Sequence, residues 1–224
     1  MDKPDPWISV CSVNPVHGLA HEIQHLIDPV KKIKKVGVIG GGAAGMRAAI
    51  EAATRGHRVT LYEKKEKLGG QLIHGDRFDF KWPIKKYKDW LINQLKKNDI
   101  KVILGHAPTG EEVKKEEFDA VLVATGARPK YPANIKGLKD DMGNPLYHVC
   151  DDIWNDNVEL GNHVIIIGGS ETGIETAIYL LRKGHSVTVL TRQSYVGHDC
   201  SRLHYITMAF MKEMEDGSYR EAAE

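Results

Sequence analysis

Val36-Gly37-Val38-Ile39-Gly40-Gly41-Gly42-Ala43-Ala44-Gly45 decides how the chain is read. An apolar run meets Gly-x-Gly-x-x-Gly, and an alanine-rich stretch follows. The pattern predicts a strand, a glycine turn and a helix N-terminus, whose unpaired N–H groups suit a diphosphate. Gly40 permits the tight turn, Gly42 lets the backbone approach a pyrophosphate, and Gly45 lets the helix pack close to the strand. Ala43 and Ala44, at the same helix start, join the expected contacts. Behind them Met46, Ala49, Ile50 and Ala53 fall at helical spacing, and Gly56 stands where a helix ends.

Working outward, the strand Arg58–Tyr62 ends at Glu63, eighteen residues after Gly45. An acid there is placed to accept hydrogen bonds from ribose hydroxyls. Lys64 follows it, and Gly69-Gly70-Gln71-Leu72 then supplies a second glycine pair, which lets backbone approach a long ligand. Pro83 to Asn98 reads as a helix with Ile84, Tyr87, Leu91 and Leu95 as its stripe. Strands are expected at Ile100–Leu104 and Phe118–Val123. The second runs into Ala124-Thr125-Gly126, a small-residue turn at the ligand edge of an open sheet.

The 224 residues are 42% hydrophobic and 27% charged, a globular composition, and the net charge of +1 points to neither nucleic acid nor a membrane surface. Cys11, Cys150 and Cys200 are widely spaced and odd in number. That disfavours a disulfide framework and favours a reducing, cytoplasmic compartment. His21-Glu22-Ile23-Gln24-His25 matches the HExxH zinc pattern, extended backwards by His17. Asp28-Pro29 ends that stretch before a buried zinc helix has room to form, so a solvated histidine face is expected.

The first motif recurs at an offset of 128 residues. Val164–Gly173 repeats it, pairing Gly40 with Gly168, Gly45 with Gly173, Gly56 with Gly184 and Thr60 with Thr188. This register marks a second dinucleotide unit. Gly168, Gly169, Ser170, Glu171 and Thr172 are its expected phosphate contacts. Its departures are informative: Ser170 stands where the first unit has Gly42, Thr191 replaces Glu63, and Arg192 replaces Lys64. An arginine there accommodates a 2′-phosphate, which leans the reading to NADPH over NADH. Leu203 to Met214 reads as a further helix.

These features lie in one order. A Cys11-Ser12-Val13-Asn14-Pro15 lead-in precedes an acid and Gly-Gly-Gln in the first unit, and Ala-Thr-Gly comes before the second. From residue 8 to residue 200 the chain resembles the C-terminal part of the 2,4-dienoyl-CoA reductase, 2-enoate reductase and trimethylamine dehydrogenase group of NADH:flavin oxidoreductases (old yellow enzyme-like). The resemblance implies an α/β fold of two Rossmann-like units, both incomplete. Residues 1–35 would be a linker with a cluster-type cysteine, 36–150 the first half of an FAD unit and 151–224 part of an NAD(P)H unit. It further implies Cys11 as the last thiolate of a 4Fe–4S cluster. Electrons would pass from NAD(P)H to FAD, through the cluster to FMN in a barrel domain or subunit, and on to the C=C bond of an enoate or enoyl-CoA. No side chain of this chain is expected to act as acid or base in that transfer. The barrel and three further cluster cysteines are not in this sequence, so a fragment or truncated form is expected, inactive or only partly active alone. Two other readings stay open: a non-catalytic ADP-binding or assembly piece, and a flavoprotein like the glutamate synthase small subunit. The latter family carries several upstream cysteines where this chain has Cys11 alone.

Overall fold

A computed structural model of the protein describes residues 30–78, 81–128, 135–154 and 158–198. The elements are β1 (Lys35–Ile39), α1 (Ala43–Thr54), β2 (Arg58–Tyr62), α2 (Leu72–Gly75), α3 (Trp82–Lys97) and β3 (Lys101–Ile103). They continue with α4 (Gly110–Lys115), β4 (Ala120–Val123), α5 (Cys150–Trp154), β5 (His163–Ile167), α6 (Glu171–Arg182) and β6 (Ser186–Leu190). The chain divides into two compact units: Met1–Gly75 with Pro83–Ala127, and Asp76–Trp82 with Arg128–Glu224. The sequence reading set its division at 150/151 instead.

Unit 1 is a parallel sheet in the order β3-β2-β1-β4. β1 lies in its middle, with Val36 opposite Val59 on one side and Ala120 on the other. A strand paired on both edges has its backbone satisfied, so its side chains go to the core: Val36 and Val38 are buried, and Met46, Ala49 and Ile50 of α1 pack against them. Leu91 and Leu95 of α3 join the same cluster, as the expected stripe requires. Burying each large aliphatic side chain contributes about 2 kcal/mol. α3 and β3 lie within a residue of their expected limits, but β4 begins two residues later than expected. Asp119 is drawn off to the other side of the pairing: its N–H donates to the Lys35 carbonyl at 2.9 Å, and its carboxylate accepts the Lys35 N–H at 2.7 Å. Phe118 instead sets its ring edge-on to Tyr62, over Gly37, where a Cβ would come within 2.9 Å of it.

In unit 2, β5 and β6 pair in parallel, His163 opposite Ser186 through Ile167 opposite Leu190. Ile166, Ala177, Leu180 and Val189 are buried together with Ile153 and Trp154 of α5. The segment Asp76–Trp82 belongs here: Phe78 is buried edge-on against Trp154 and Tyr179, and Lys81 forms an ion pair with the buried Glu175. Cys11, the His17–His25 stretch and the expected helix from Leu203 to Met214 lie outside the described residues. Among the described residues, no helix is long and apolar enough to cross a membrane, and no group of three or more metal-ligating side chains is assembled.

Candidate dinucleotide cradles

The turn after β1 is fixed by its glycines. Gly40 has φ +112, and a Cβ there would run into the Ala124 carbonyl. A Cβ on Gly45 would overlap the Gly40 carbonyl oxygen. Both positions therefore need glycine for the fold itself. Gly42 is different: the nearest atom to a Cβ built there is the Gly70 Cα at 3.8 Å, ordinary contact. It caps α1 in an extended conformation and supplies no side-chain cap, so the first-turn N–H groups of α1 have no side-chain acceptor at that cap. No acidic residue lies in that first turn.

Glu63, at the end of β2, is buried. Its Oε2 accepts the Gly41 N–H at 2.7 Å and its Oε1 accepts the Lys65 N–H at 2.9 Å. Its backbone is held from the other side: the Glu63 N–H donates to Ile103 and the Glu63 carbonyl accepts from His106. A carboxylate has about four acceptor positions, so these two bonds do not exhaust it. Gly69 folds the following loop back, its N–H donating to the Gly41 carbonyl at 2.9 Å. Gly70 then lies against Gly42, backbone to backbone. Ala124 donates to Ile39 at 2.8 Å and its carbonyl packs on Gly40. Unit 1 thus brings Gly40, Gly42, Glu63, Gly70 and Ala124 around one turn. Ala44, Lys64, Gln71, Thr125 and Gly126 are exposed nearby in sequence, and Leu72 opens α2 where a loop was expected.

Unit 2 repeats the backbone bonds of the turn itself. Gly168 donates to Leu190 as Gly40 donates to Tyr62, each at 2.8 Å. Ile174 to Ser170 answers Met46 to Gly42, and Ser186 to Asn162 answers Arg58 to Lys34. Gly168 has φ +120, and a Cβ on Gly173 would overlap the Gly168 carbonyl. The correspondence reaches further than the motif reading took it: Gly197 donates to the Gly169 carbonyl at 2.7 Å, as Gly69 does to Gly41. The sequence reading did not single out Gly41, Lys65 and Gly197, which take part in these bonds. Extending the 128-residue register past the acid finds the Gly69–Gly197 pair.

The differences are local. Ser170 caps α6 at φ −86, ψ −174, beside −79, −172 for Gly42. A residue with a Cβ thus fits that backbone without distortion, and glycine at position 42 serves no need of the fold. A cofactor therefore fits at this turn on one observation: the space beside Gly42 is open, and the fold does not need glycine there. In α6, Glu171 sets a carboxylate at the first helical position, where α1 has Ala43. The Thr172 carbonyl accepts the Thr176 hydroxyl at 2.7 Å. A cavity of about 580 Å³ in unit 2 is lined by Cys150, Thr172, Thr176 and residues of β5, and by none of Gly168, Gly169, Ser170 or Arg192. Burial pushes the Cys150 thiol up from its ordinary range.

Residues 34–216 match the model of the Pyridine nucleotide-disulphide oxidoreductase family. A "NADH oxidase" of Thermoanaerobacter brockii is 41% identical over 194 residues, covering 84% of this chain and 29% of that protein. A "Cinnamate reductase" of Clostridium sporogenes is 38% identical over 184 residues, 82% of this chain and 26% of that protein. Among solved structures, a 2-naphthoyl-CoA reductase complexed with 2-naphthoyl-CoA is similar with a TM-score of 0.82 and 31% identity, over 92% of this chain and 31% of that one. The chain spans under a third of the length of these relatives. Its matched region, two glycine turns and parallel sheets assign it: the chain belongs to the pyridine nucleotide-disulphide oxidoreductase family, as the nucleotide-binding part of the 2-enoate and 2,4-dienoyl-CoA reductase group.

Proposed function

We propose that the chain is the flavin electron-input module of an enoate- or enoyl-CoA-type reductase, with FAD held by unit 1 and NAD(P)H by unit 2. The observation that carries this is the repeat of the glycine turn's backbone bonds in both units, of which only the first keeps an open Gly42 beside a buried Glu63. In unit 1, the α1 amides from Ala43 to Gly45 would face the diphosphate, and Gly42 would give it room. Glu63 would accept the adenosine ribose hydroxyls on its remaining lone pairs. Gly70, Gln71, Leu72 and the Ala124-Thr125-Gly126 turn would line the rest. In unit 2, Gly168 through Thr172 would hold the second diphosphate, with the Ser170 side chain making a tighter approach. When bound, a reduced nicotinamide supplies a hydride and a flavin accepts it; this chain's residues bind and orient the two.

The onward route is part of the same proposal. A 4Fe–4S cluster takes about four thiolates, and Cys11 would be one of them, with FMN on a barrel domain or subunit reducing the C=C bond. A titration tests the core of the reading. FAD should bind the full chain, and Glu63→Ala should abolish that binding while leaving NAD(P)H binding intact. A second reading is favoured by one observation: the groups gathered in unit 1 address the adenosine and diphosphate, which ADP shares with FAD. Tight ADP binding by a colourless protein that takes up no flavin would favour this non-catalytic role.

A further inference from the structure

We propose that unit 2 takes up an extended apolar peptide segment, from outside these 224 residues, as an added strand parallel to β5. The internal repeat supplies the template. β5 pairs with β6 residue for residue as β1 pairs with β2, at the offset of 128. β1 also carries β4 on its other edge, where Val36, Gly37, Val38 and Ile39 lie opposite Ala120, Val121, Leu122 and Val123. Their counterparts on β5 are Val164, Ile165, Ile166 and Ile167. Among the described residues, β5 pairs with β6 alone, so this second edge is open.

The cavity of about 580 Å³ lies along that edge, and all four of these residues line it. Side chains alternate between the two faces of a strand, so a cavity that touches four in a row follows the edge and not one face. Leu138, Leu146, Leu160 and Leu180 are also in its lining, which suits an apolar occupant. Val164–Ile167 is moreover an unbroken β-branched run, the pattern of a parallel strand covered on both faces. It carries none of the charges or prolines that blunt a natural sheet edge. Yet Ile165 and Ile167 are 58% and 54% exposed, whereas their counterparts Gly37 and Ile39 are buried and half-buried. Main-chain hydrogen bonds to β5 would hold the added strand, and apolar side chains like those of β4 would fill the cavity. The apolar stretch after β6, Leu203 to Met214, has helical spacing and so does not supply such a strand.

The test is hydrogen exchange of the full chain, read residue by residue by NMR, alone and with a probe peptide. The probe carries Ala-Val-Leu-Val between lysines. Without it, the β5 amides that face away from β6 should exchange fast, while those bonded to β6 stay protected and show that unit 2 is folded. Saturating probe should slow the outward amides at least about tenfold. A probe with serine in place of its valines and leucine should have no effect. Neither should one N-methylated throughout, which keeps the apolar side chains and cannot form the ladder. No slowing by the apolar probe, or equal slowing by the N-methylated one, would overturn the proposal. So would outward amides already protected in the chain alone. Protection that survives dilution would put a segment of this chain on the edge, and protection lost on dilution a second copy.

Discussion

Glu63 Oε2 accepts the Gly41 N–H at 2.7 Å, tying the end of β2 to the glycine turn after β1. The same carboxylate holds the Lys65 N–H. One side chain therefore shapes the cradle and would also present the acceptors that a ribose needs. Replacing it by alanine leaves those amides without their acceptor, at a cost of about 1–3 kcal/mol for a buried donor. Glu63→Ala should lower the urea midpoint and abolish FAD binding. Glu63→Gln keeps one acceptor oxygen and should restore much of the stability. Unchanged stability in Glu63→Ala would show that the two hydrogen bonds do not hold the turn.

Gly42 and Gly45 separate two uses of glycine. Gly42→Ala meets nothing closer than the Gly70 Cα at 3.8 Å, and Ser170 shows the backbone accepting a side chain at the equivalent place. The variant should melt with the parent and bind FAD at least tenfold more weakly, as expected if a phosphate needs that space. Gly45→Ala, which would overlap the Gly40 carbonyl, should destabilise by several kcal/mol through overpacking. Thermal melts and flavin titrations of both variants check this. Equal FAD affinity in Gly42→Ala and the parent would contradict it.

The glycine turns and the 128-residue repeat were legible because their signals are local and physical. A positive φ demands glycine at Gly40, Gly56, Gly168 and Gly184, and apolar spacing marks α1, α3 and α6. The short elements were not legible. α4 buries nothing and is held by a capping box, with Thr109 and Glu112 exchanging side-chain and backbone hydrogen bonds, so no stripe announces it. α5 is only five residues long, too short for its buried Ile153 and Trp154 to set a period. The start of β4 was misplaced because Asp119 pairs with Lys35 outside the ladder. At the site, the types of residue were readable, but the bonds of Glu63 to Gly41 and Lys65 were not, since they depend on which way a buried carboxylate turns.

Lys81 and Glu175 were also invisible in the sequence, because residues so far apart meet only in the folded unit. Glu175 is buried and its partner nearly so. Removing one member leaves an uncompensated buried charge, which costs about 3 kcal/mol or more. Lys81→Met should therefore lower the stability of unit 2 strongly, whereas Lys81→Met combined with Glu175→Leu should recover most of the loss. A chemical melt of the three proteins decides it. Single and double variants of equal stability would mean the pair is not coupled.

Cys150 reports on the burial of α5. Burial pushes its thiol up, so it stays protonated in the folded protein at a pH where an unfolded thiol has begun to ionise. The contribution is present below the ordinary thiol range and is lost as pH rises through that range toward the raised value. With Cys11 and Cys200 changed to serine, Cys150 should react with iodoacetamide much more slowly in native protein at pH 8 than in urea. Equal rates would show that the thiol is not protected.

The central claim is that one cradle takes a flavin nucleotide and the other a reduced nicotinamide nucleotide, joined in one electron-transfer module. The most direct measurement is anaerobic mixing of the FAD-loaded chain with NADPH, followed by the flavin's visible absorbance. The account expects that absorbance to bleach, and expects less bound flavin in Gly42→Ala handled in the same way. Flavin that binds and stays oxidised under excess NADPH and excess NADH would contradict it.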